Sequence, residues 1–372
     1  MLKVGIIGTG KIFDLNILGY LNNNTDIEIS CLCNRTVGKA KEKIKKFNLN
    51  PKIPIYSDYR EMLNNEDLDV VDILLPDHLH AEVTTYAAEK KVKGISVQKP
   101  MALTLEEADR MIKACKNSGS KLSIYENFAF IPDIKKAKEL IEQDYIGDIS
   151  SIRIKIAIDY EEGKYLPESV SLSGEGPKEV QDRPNRSSLL LSNIGWRAFS
   201  LGWWLFGEDF EKVFAWTGNY HGIDAPAYVM WKCKRNKDRE YVVPQYGSLE
   251  FSLTPEMNRS SNYFNNDEFI EIIGSRGIMK INHGTSVGNK MSDSVIFSPV
   301  VVIRDGKVET FSKFEKDLKF SFIDATKYFV EVVKGNKVPI ISGEQARHIL
   351  IFSLAAFKSA EIRKEIYLDD FN

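Results

Sequence analysis

The stretch Leu2-Lys3-Val4-Gly5-Ile6-Ile7-Gly8-Thr9-Gly10 decides how the first third of the chain is read. An apolar run of strand length ends in two glycines one residue apart, and an amphipathic segment, 12–21, follows at once. Gly8 permits a tight turn, Gly10 lets backbone approach a pyrophosphate, and the helix N-terminus beyond offers amides and positive dipole to phosphates. Thr9, Lys11 and Ile12 share that turn. The third position of such a fingerprint is normally Gly or Ala. Here it is Phe13, whose ring either pushes helix and strand apart or turns elsewhere. A glycine pair alone marks a plain βα turn as readily as a dinucleotide site, so the surroundings decide.

Outward from that turn, short apolar runs alternate with amphipathic segments to about residue 125. Strands are expected at 3–8, 27–33, 70–75, 94–97 and 121–125, and helices at 12–21, 37–47, 59–63, 81–90 and 105–116. Such alternation predicts an α/β Rossmann domain, a doubly wound parallel sheet with helices on both faces. Thr104 stands three residues before Glu107, the capping-box spacing that marks a helix start. The second strand ends in Asn34-Arg35, where an NAD site usually carries a carboxylate for the ribose hydroxyls. Asn34 still offers a hydrogen bond, nothing there repels a phosphate, and the Arg35 guanidinium suits a 2′-phosphate. NADP is therefore favoured over NAD. Dual use and a merely solvated Arg35 stay open.

Beyond residue 125 the period changes. Ile152, Ile154, Ile156 and Ile158 alternate with Arg153, Lys155 and Ala157, which predicts a strand with one buried and one open face. Further strands are expected at 212–216, 228–233, 248–253, 268–273, 277–281 and 300–303, a hairpin turn at Asp305-Gly306, and late helices at 321–333 and 344–364. The expected division is a dinucleotide-binding domain, 1–125, and an α+β domain, 126–372, with a large open-faced, mostly antiparallel sheet. That open face, with Phe214, Trp216 and Trp231, is a candidate surface for a homodimer or homotetramer. Residues 160–188 read as a long loop. The glycosylation-like triplets at Asn34, Asn185 and Asn258 carry no weight without a secretory signal.

Composition narrows the partners. Of 372 residues, 43% are apolar and 27% charged, the balance of an ordinary globular protein. Fifty Lys and Arg against 52 Asp and Glu leave a net charge of −2, no electrostatic footprint for nucleic acid or an anionic membrane. The four cysteines have neither zinc-site nor redox spacing and read as reduced residues of a cytoplasmic protein. The first ten residues lack a signal-peptide pattern, and the apolar run 349–357 is too short to cross a bilayer. His221, His283 and His348 read as ordinary residues, and no metal cluster is visible.

Two polar clusters close consecutive strands of the first domain, where open α/β sheets bind their ligands. They are Leu75-Pro76-Asp77-His78-Leu79-His80 and Gln98-Lys99-Pro100, and Asn127-Phe128-Ala129-Phe130-Ile131-Pro132 follows. With these residues the chain resembles the glucose–fructose oxidoreductase and inositol dehydrogenase (Gfo/Idh/MocA) family, whose motifs are Thr-Pro-Asn-x-x-His, Glu-Lys-Pro and Asn-Phe-Arg-Phe-x-Pro. The likeness runs on through Lys138-Glu139-Leu140, Ile146-Gly147-Asp148-Ile149, Glu268-Phe269-Ile270-Glu271-Ile272-Ile273-Gly274 and Pro339-Ile340-Ile341-Ser342-Gly343-Glu344. The resemblance implies an NAD(P)-dependent oxidoreductase of sugar-like substrates. In it Lys99 sits between nicotinamide and substrate hydroxyl, with His80 near the cofactor and Asn127 near nicotinamide or substrate. An ammonium so placed is expected to have a lowered pKa, toward useful acid–base strength.

One motif departs. Where the family carries Asp-x-Gly-x-His-x-x-Asp, with the His as base or proton relay, this chain has Asn193-Ile194-Gly195-Trp196-Arg197-Ala198-Phe199-Ser200. Arg197 is no base near neutral pH, but its five donors suit a carboxylate or phosphate. Asn193, Asn127 and Tyr160 join it as candidate substrate contacts. One reading is an active dehydrogenase or reductase in which Lys99 alone handles the proton and Arg197 orients an anionic or polyhydroxy substrate. The others are a dinucleotide-binding regulatory protein without turnover, and an NAD-dependent glycoside-cleaving relative. Arg197 in a buried ion pair, for instance with Asp159, is the structural alternative.

Overall fold

A computed structural model describes residues 1–23, 25–158, 194–220, 224–234, 243–254, 266–284, 299–314 and 317–371. Tyr160, Asn193, His221, the loop 160–188, and Asp159 as a partner for Arg197 lie outside them. The chain divides into two units, Met1–Phe130 with Asp317–Leu350, and Ile131–Lys316 with Ile351–Asn372.

In the first unit β1 (Leu2–Ile7), α1 (Phe13–Leu21), β2 (Ile27–Cys33), α2 (Val37–Lys46), β3 (Ile55–Tyr56), α3 (Tyr59–Asn65), β4 (Val70–Ile73), α4 (His80–Glu89), β5 (Gly94–Val97), α5 (Leu105–Ser118) and β6 (Lys121–Ile124) alternate. The strands form one parallel sheet in the order β3-β2-β1-β4-β5-β6, the doubly wound dinucleotide-binding order. Its central residues, Val4, Ile6, Val71, Ile73, Ile95 and Val97, are buried, as a sheet covered on both faces requires. Only β3 is new to the sequence reading; two residues are too short for a periodic pattern. The capping box is present at α5, where the Glu107 amide donates to Thr104 Oγ1 at 3.2 Å. The Glu107 carboxylate reaches back to the Leu103 amide, 3.1 Å away.

The first unit also holds the helix Lys319–Val333, which the 1–125 and 126–372 partition assigned to the second. Small residues bring it in. A Cβ on Gly19 of α1 would lie 2.3 Å from Thr326 Cβ, and one on Gly94 of β5 would lie 2.2 Å from Val333 Cγ2. The Tyr125 hydroxyl donates to the Phe322 carbonyl at 3.0 Å, and Phe329 and Val330 join the core of Val4, Ile17, Tyr20 and Leu32.

The second unit contains α6 (Pro132–Glu142), β7 (Ile149–Ile158), α7 (Ile194–Phe206), β8 (Phe210–Thr217), β9 (Ala227–Cys233), β10 (Tyr246–Leu253), β11 (Asn266–Gly274), β12 (Gly277–Gly284), β13 (Val300–Arg304), β14 (Lys307–Phe311) and β15 (Ile366–Tyr367). Strands β7 to β15 form a nine-stranded sheet in the order β14-β13-β12-β11-β7-β10-β9-β8-β15. All neighbours run antiparallel except β7 and β10. Ile152, Ile154 and Ile156 point into the core, while Arg153 and Lys155 on the open face reach Glu271 and Glu250 at 3.5 and 3.2 Å. At the β13–β14 turn Asp305 and Gly306 take φ of 51° and 71°, as a type I′ hairpin needs.

The open face carries exposed Trp216, Tyr228, Met230 and Tyr246. Trp231 is not part of it. With Tyr228 and Met230 outward, the two-residue period turns Trp231 inward beside Val229 and Cys233, where it packs edge-on to Phe199, Phe210 and Phe352. Among the described residues no helix is long and apolar enough to cross a membrane.

Candidate active site

The glycine turn closes on β4. Gly8 has φ of +103°, and a Cβ there would lie 2.5 Å from the Leu74 carbonyl oxygen, so only glycine fits both the backbone and the space. At Gly10 an added Cβ would meet nothing within 4 Å, which leaves the opening that a pyrophosphate needs above the first amides of α1. Beside it the buried Thr9 hydroxyl has no hydrogen-bond partner among the described residues. These features fit a dinucleotide. Lys11 is exposed and Ile12 half-buried, its carbonyl accepting from the Leu15 and Asn16 amides. Phe13 turns inward and packs edge-on to Phe47 at 5.9 Å, so its ring sits in the core between α1 and α2.

Asn34 spans two backbones. Its Oδ1 accepts from the Thr9 amide at 3.2 Å and its Nδ2 donates to the Thr36 carbonyl at 2.8 Å, fixing the end of β2 against the glycine turn. Arg35, next to it, is exposed.

The two polar clusters meet through one imidazole. Leu75, Pro76 and Asp77 form the turn after β4, with Asp77 Oδ1 accepting from the His78 amide at 2.8 Å. His80, buried at the start of α4, places Nδ1 2.9 Å from the Pro100 carbonyl and Nε2 2.8 Å from the Leu75 carbonyl. A neutral ring has one N–H to give, and burial holds this imidazole below its usual pKa against the pull of those carbonyls. His80 thus lies between the loop after β4 and the segment that carries Lys99 and donates to one of the two carbonyls. Lys99 is half-buried, precedes a cis peptide to Pro100, and follows Gln98, whose Nε2 is buried without a partner among the described residues. Asn127 Nδ2 donates to Ser321 Oγ at 2.9 Å, and Ser321 in turn donates to the Leu318 carbonyl at 2.7 Å. Ser321 had no signal in the sequence, since it lies 194 residues from its partner.

Below the glycine turn is an acid that the motifs do not flag. Asp72 of β4 is buried, Asn16 Nδ2 of α1 donates to its Oδ2 at 3.3 Å, and burial pushes its carboxyl up to about 6. Burial, and then the charge of Asp72, raise the Tyr20 phenol as well.

In the second unit Arg197, on the first turn of α7, donates from Nη2 to Glu268 Oε2 of β11 at 2.8 Å. The Glu268 side chain is wholly buried, whereas that of Arg197 keeps 19% of its surface exposed. Ser200, where the family has Asp, donates back to the Arg197 carbonyl at 3.1 Å. Glu268 was missed as a functional candidate, yet its signal was present: it is an acid in phase with Ile270 and Ile272, on the buried side of a period-two strand. Among the described residues no group of three or more His, Cys, Asp and Glu is placed to hold a metal.

Two family models match the chain, an oxidoreductase family NAD-binding Rossmann fold over residues 2–126 and the C-terminal alpha/beta domain of the same family over residues 138–368. The chain belongs to the Gfo/Idh/MocA oxidoreductase family. Myo-inositol 2-dehydrogenase of Thermotoga maritima is 23% identical over 377 residues, covering 99% of each chain. Among solved structures, an oxidoreductase from Agrobacterium radiobacter in complex with NAD+, L-tartaric acid and magnesium superposes with a TM-score of 0.76 at 17% identity, covering 100% of this chain and 99% of that one. Aldose-aldose oxidoreductase from Caulobacter crescentus, complexed with glycerol, gives 0.76 at 18% identity, with 98% and 99% covered. At those identities the structural likeness establishes the fold. As a Gfo/Idh/MocA member the protein is an NAD(P)-dependent oxidoreductase acting on CH–OH groups, of the class that takes sugars and polyols.

Proposed function

We propose that this enzyme moves a hydride between nicotinamide and a secondary alcohol or ketone of a sugar, polyol or sugar-acid-like substrate, with Lys99 as proton donor and acceptor and Arg197 orienting the substrate. The observation that carries this reading is the position of Lys99 at the carboxyl end of β5, with buried His80 set between the Pro100 carbonyl and the loop after β4. When bound, the nicotinamide accepts or supplies the hydride. The chain's own groups hold the phosphates at the Gly8–Gly10 turn, and Nζ of Lys99 takes the hydroxyl proton in oxidation and returns it to the carbonyl oxygen in reduction. Asn193 and Tyr160, with Asn127, complete the proposed substrate contacts.

For the cofactor, exposed Arg35 beside an uncharged Asn34 supports NADP over NAD. Arg35→Ala should weaken NADP binding about tenfold and leave NAD nearly unchanged, as loss of one charge-assisted contact to a phosphate would. Equal titrations of NADP into both proteins would remove Arg35 from the site. The four cysteines are free and buried, and burial pushes the thiols of Cys33 and Cys115 up to about 12, which suits a reducing cytoplasm. The exposed Trp216, Tyr228 and Met230 support assembly of copies through the open sheet face.

The reading is tested by steady-state assay of both dinucleotides against neutral sugars, polyols and sugar acids. Turnover of at least one is expected, and Lys99→Met should cut kcat by about 10² to 10⁴ while dinucleotide binding changes little. A protein that binds dinucleotide tightly yet turns over none of the panel would sink the proposal in favour of a regulatory one.

A further inference from the structure

Glu268 is an acid in a row of isoleucines. Its side chain is wholly buried on β11, on the same side as Ile270 and Ile272 farther along the strand and paired with buried Ile156 of β7, and a lone carboxylate there is strongly disfavoured. The compensating charge is the Arg197 guanidinium, 2.8 Å away. Contact runs through one oxygen and one nitrogen, Oε2 and Nη2; Oε1 of Glu268 and Nε of Arg197 are buried without partners among the described residues. The arginine is therefore held at one corner from below, while part of its side chain stays exposed. What remains is a part-exposed cation whose charge is already met and which has N–H donors beyond the one given to Glu268.

That distinction sets what such a group recognises. An uncompensated arginine favours a carboxylate or phosphate. A neutralised one still donates to hydroxyl and carbonyl oxygens, but an arriving carboxylate loses its hydration and meets Arg197 and Glu268 together. We propose that Glu268 is the positioning residue that sets the substrate's charge class: it anchors Arg197 and cancels its charge, so that the site takes neutral polyhydroxy substrates and rejects sugar acids. This rests on the reading that Arg197 meets the substrate.

The test is calorimetric titration of the dinucleotide-loaded protein with two neutral ligands, myo-inositol and D-glucose, and two acids, D-glucuronate and D-gluconate, so that no turnover is needed. Wild type should bind the neutral pair more tightly. Glu268→Gln, which keeps the shape and removes the charge, should tighten acid binding about tenfold and change neutral binding less than about threefold. Should that variant not fold, Arg197→Met with Glu268→Leu replaces the pair by apolar side chains, and it should weaken neutral binding while the acid-to-neutral ratio stays at its wild-type value. The proposal is overturned by a wild type that prefers acids or binds none of the four. A Glu268→Gln that moves both classes equally or neither overturns it too, as does a double variant that gains acid binding. If Arg197→Met alone changes neither class, the reading of Arg197 as a substrate contact falls, and the proposal with it. If it weakens binding while Glu268→Gln shifts no ratio, only the proposal falls.

Discussion

Two buried carboxyl groups, one in each unit, are stabilised in opposite ways. Asp72 has only neutral partners: Asn16 donates to it, and the side chains of Tyr20 and Ser96 hydrogen-bond it. With no cation against it among the described residues, the carboxyl keeps a proton up to about 6. Glu268 is just as deeply buried but faces a guanidinium. Hydrogen bonds favour the charged form of Asp72 without outweighing desolvation, whereas a cation brings the opposing charge itself. The sheets explain the placement. Asp72 lies in a strand covered on both faces, whereas Glu268 lies in a strand with one open face, beneath a helix that carries Arg197.

The largest expected effect is on the cation-paired acid. Glu268→Ala leaves Arg197 without its counter-charge and opens a space in the core, and it should cost about 3–5 kcal/mol. The apolar double variant, Arg197→Met with Glu268→Leu, should recover most of that. Denaturant unfolding followed through tryptophan fluorescence measures both, and a Glu268→Ala protein as stable as wild type would show the pair to be weak.

Legibility in the sequence follows the same divide. The glycine turn, the alternation of strands and helices, the capping box of Thr104 and the period-two isoleucines of β7 are local patterns, and each is found where its residues predict it. His80 and Lys99 are brought together by neighbouring strand ends, so motif order places them in one region. Hidden partners come from far along the chain: Glu268 is 71 residues from Arg197, and Ser321 is 194 residues from Asn127. The return of the helix Lys319–Val333 to the first unit depends on small residues at Gly19 and Gly94, whose lack of a side chain gives no periodic signal. Trp231 marks a limit of composition: its type suited an exposed aromatic face, but its parity on β9 put it in the core.

The second effect sharpens the comparison through pH. Asp72 is raised from the ordinary 3.8 to about 6, so between those values the native state holds a proton that the unfolded chain has lost. Stability should therefore fall as pH rises from about 4 to about 6, by roughly 3 kcal/mol in all, and stay level above that. Asp72→Asn keeps a hydrogen-bonding side chain and has no charge to bury, so it should be more stable than wild type at pH 7 and lose this part of the slope. Unfolding at a series of pH values reads it out. If the two proteins show identical slopes through that window, Asp72 titrates normally.

The smallest effect concerns what neutral partners contribute. Asn16 Nδ2, 3.3 Å from Asp72 Oδ2, is a donor that favours the ionised carboxylate, and its own Oδ1 is buried without a partner among the described residues. Asn16→Leu removes that donor together with the unpartnered carbonyl, two changes of opposite sign worth about 1 kcal/mol each, so stability at pH 4 should hardly move. At pH 7 the loss should approach about 1 kcal/mol, because the charged carboxylate misses the donor more than the neutral acid does, and the upper end of the pH-sensitive window should shift above about 6. The same substitution in the Asp72→Asn background should shift no window at all, since no proton remains to be held there. A window that moves in both backgrounds would mean that some group other than Asp72 titrates beneath the glycine turn.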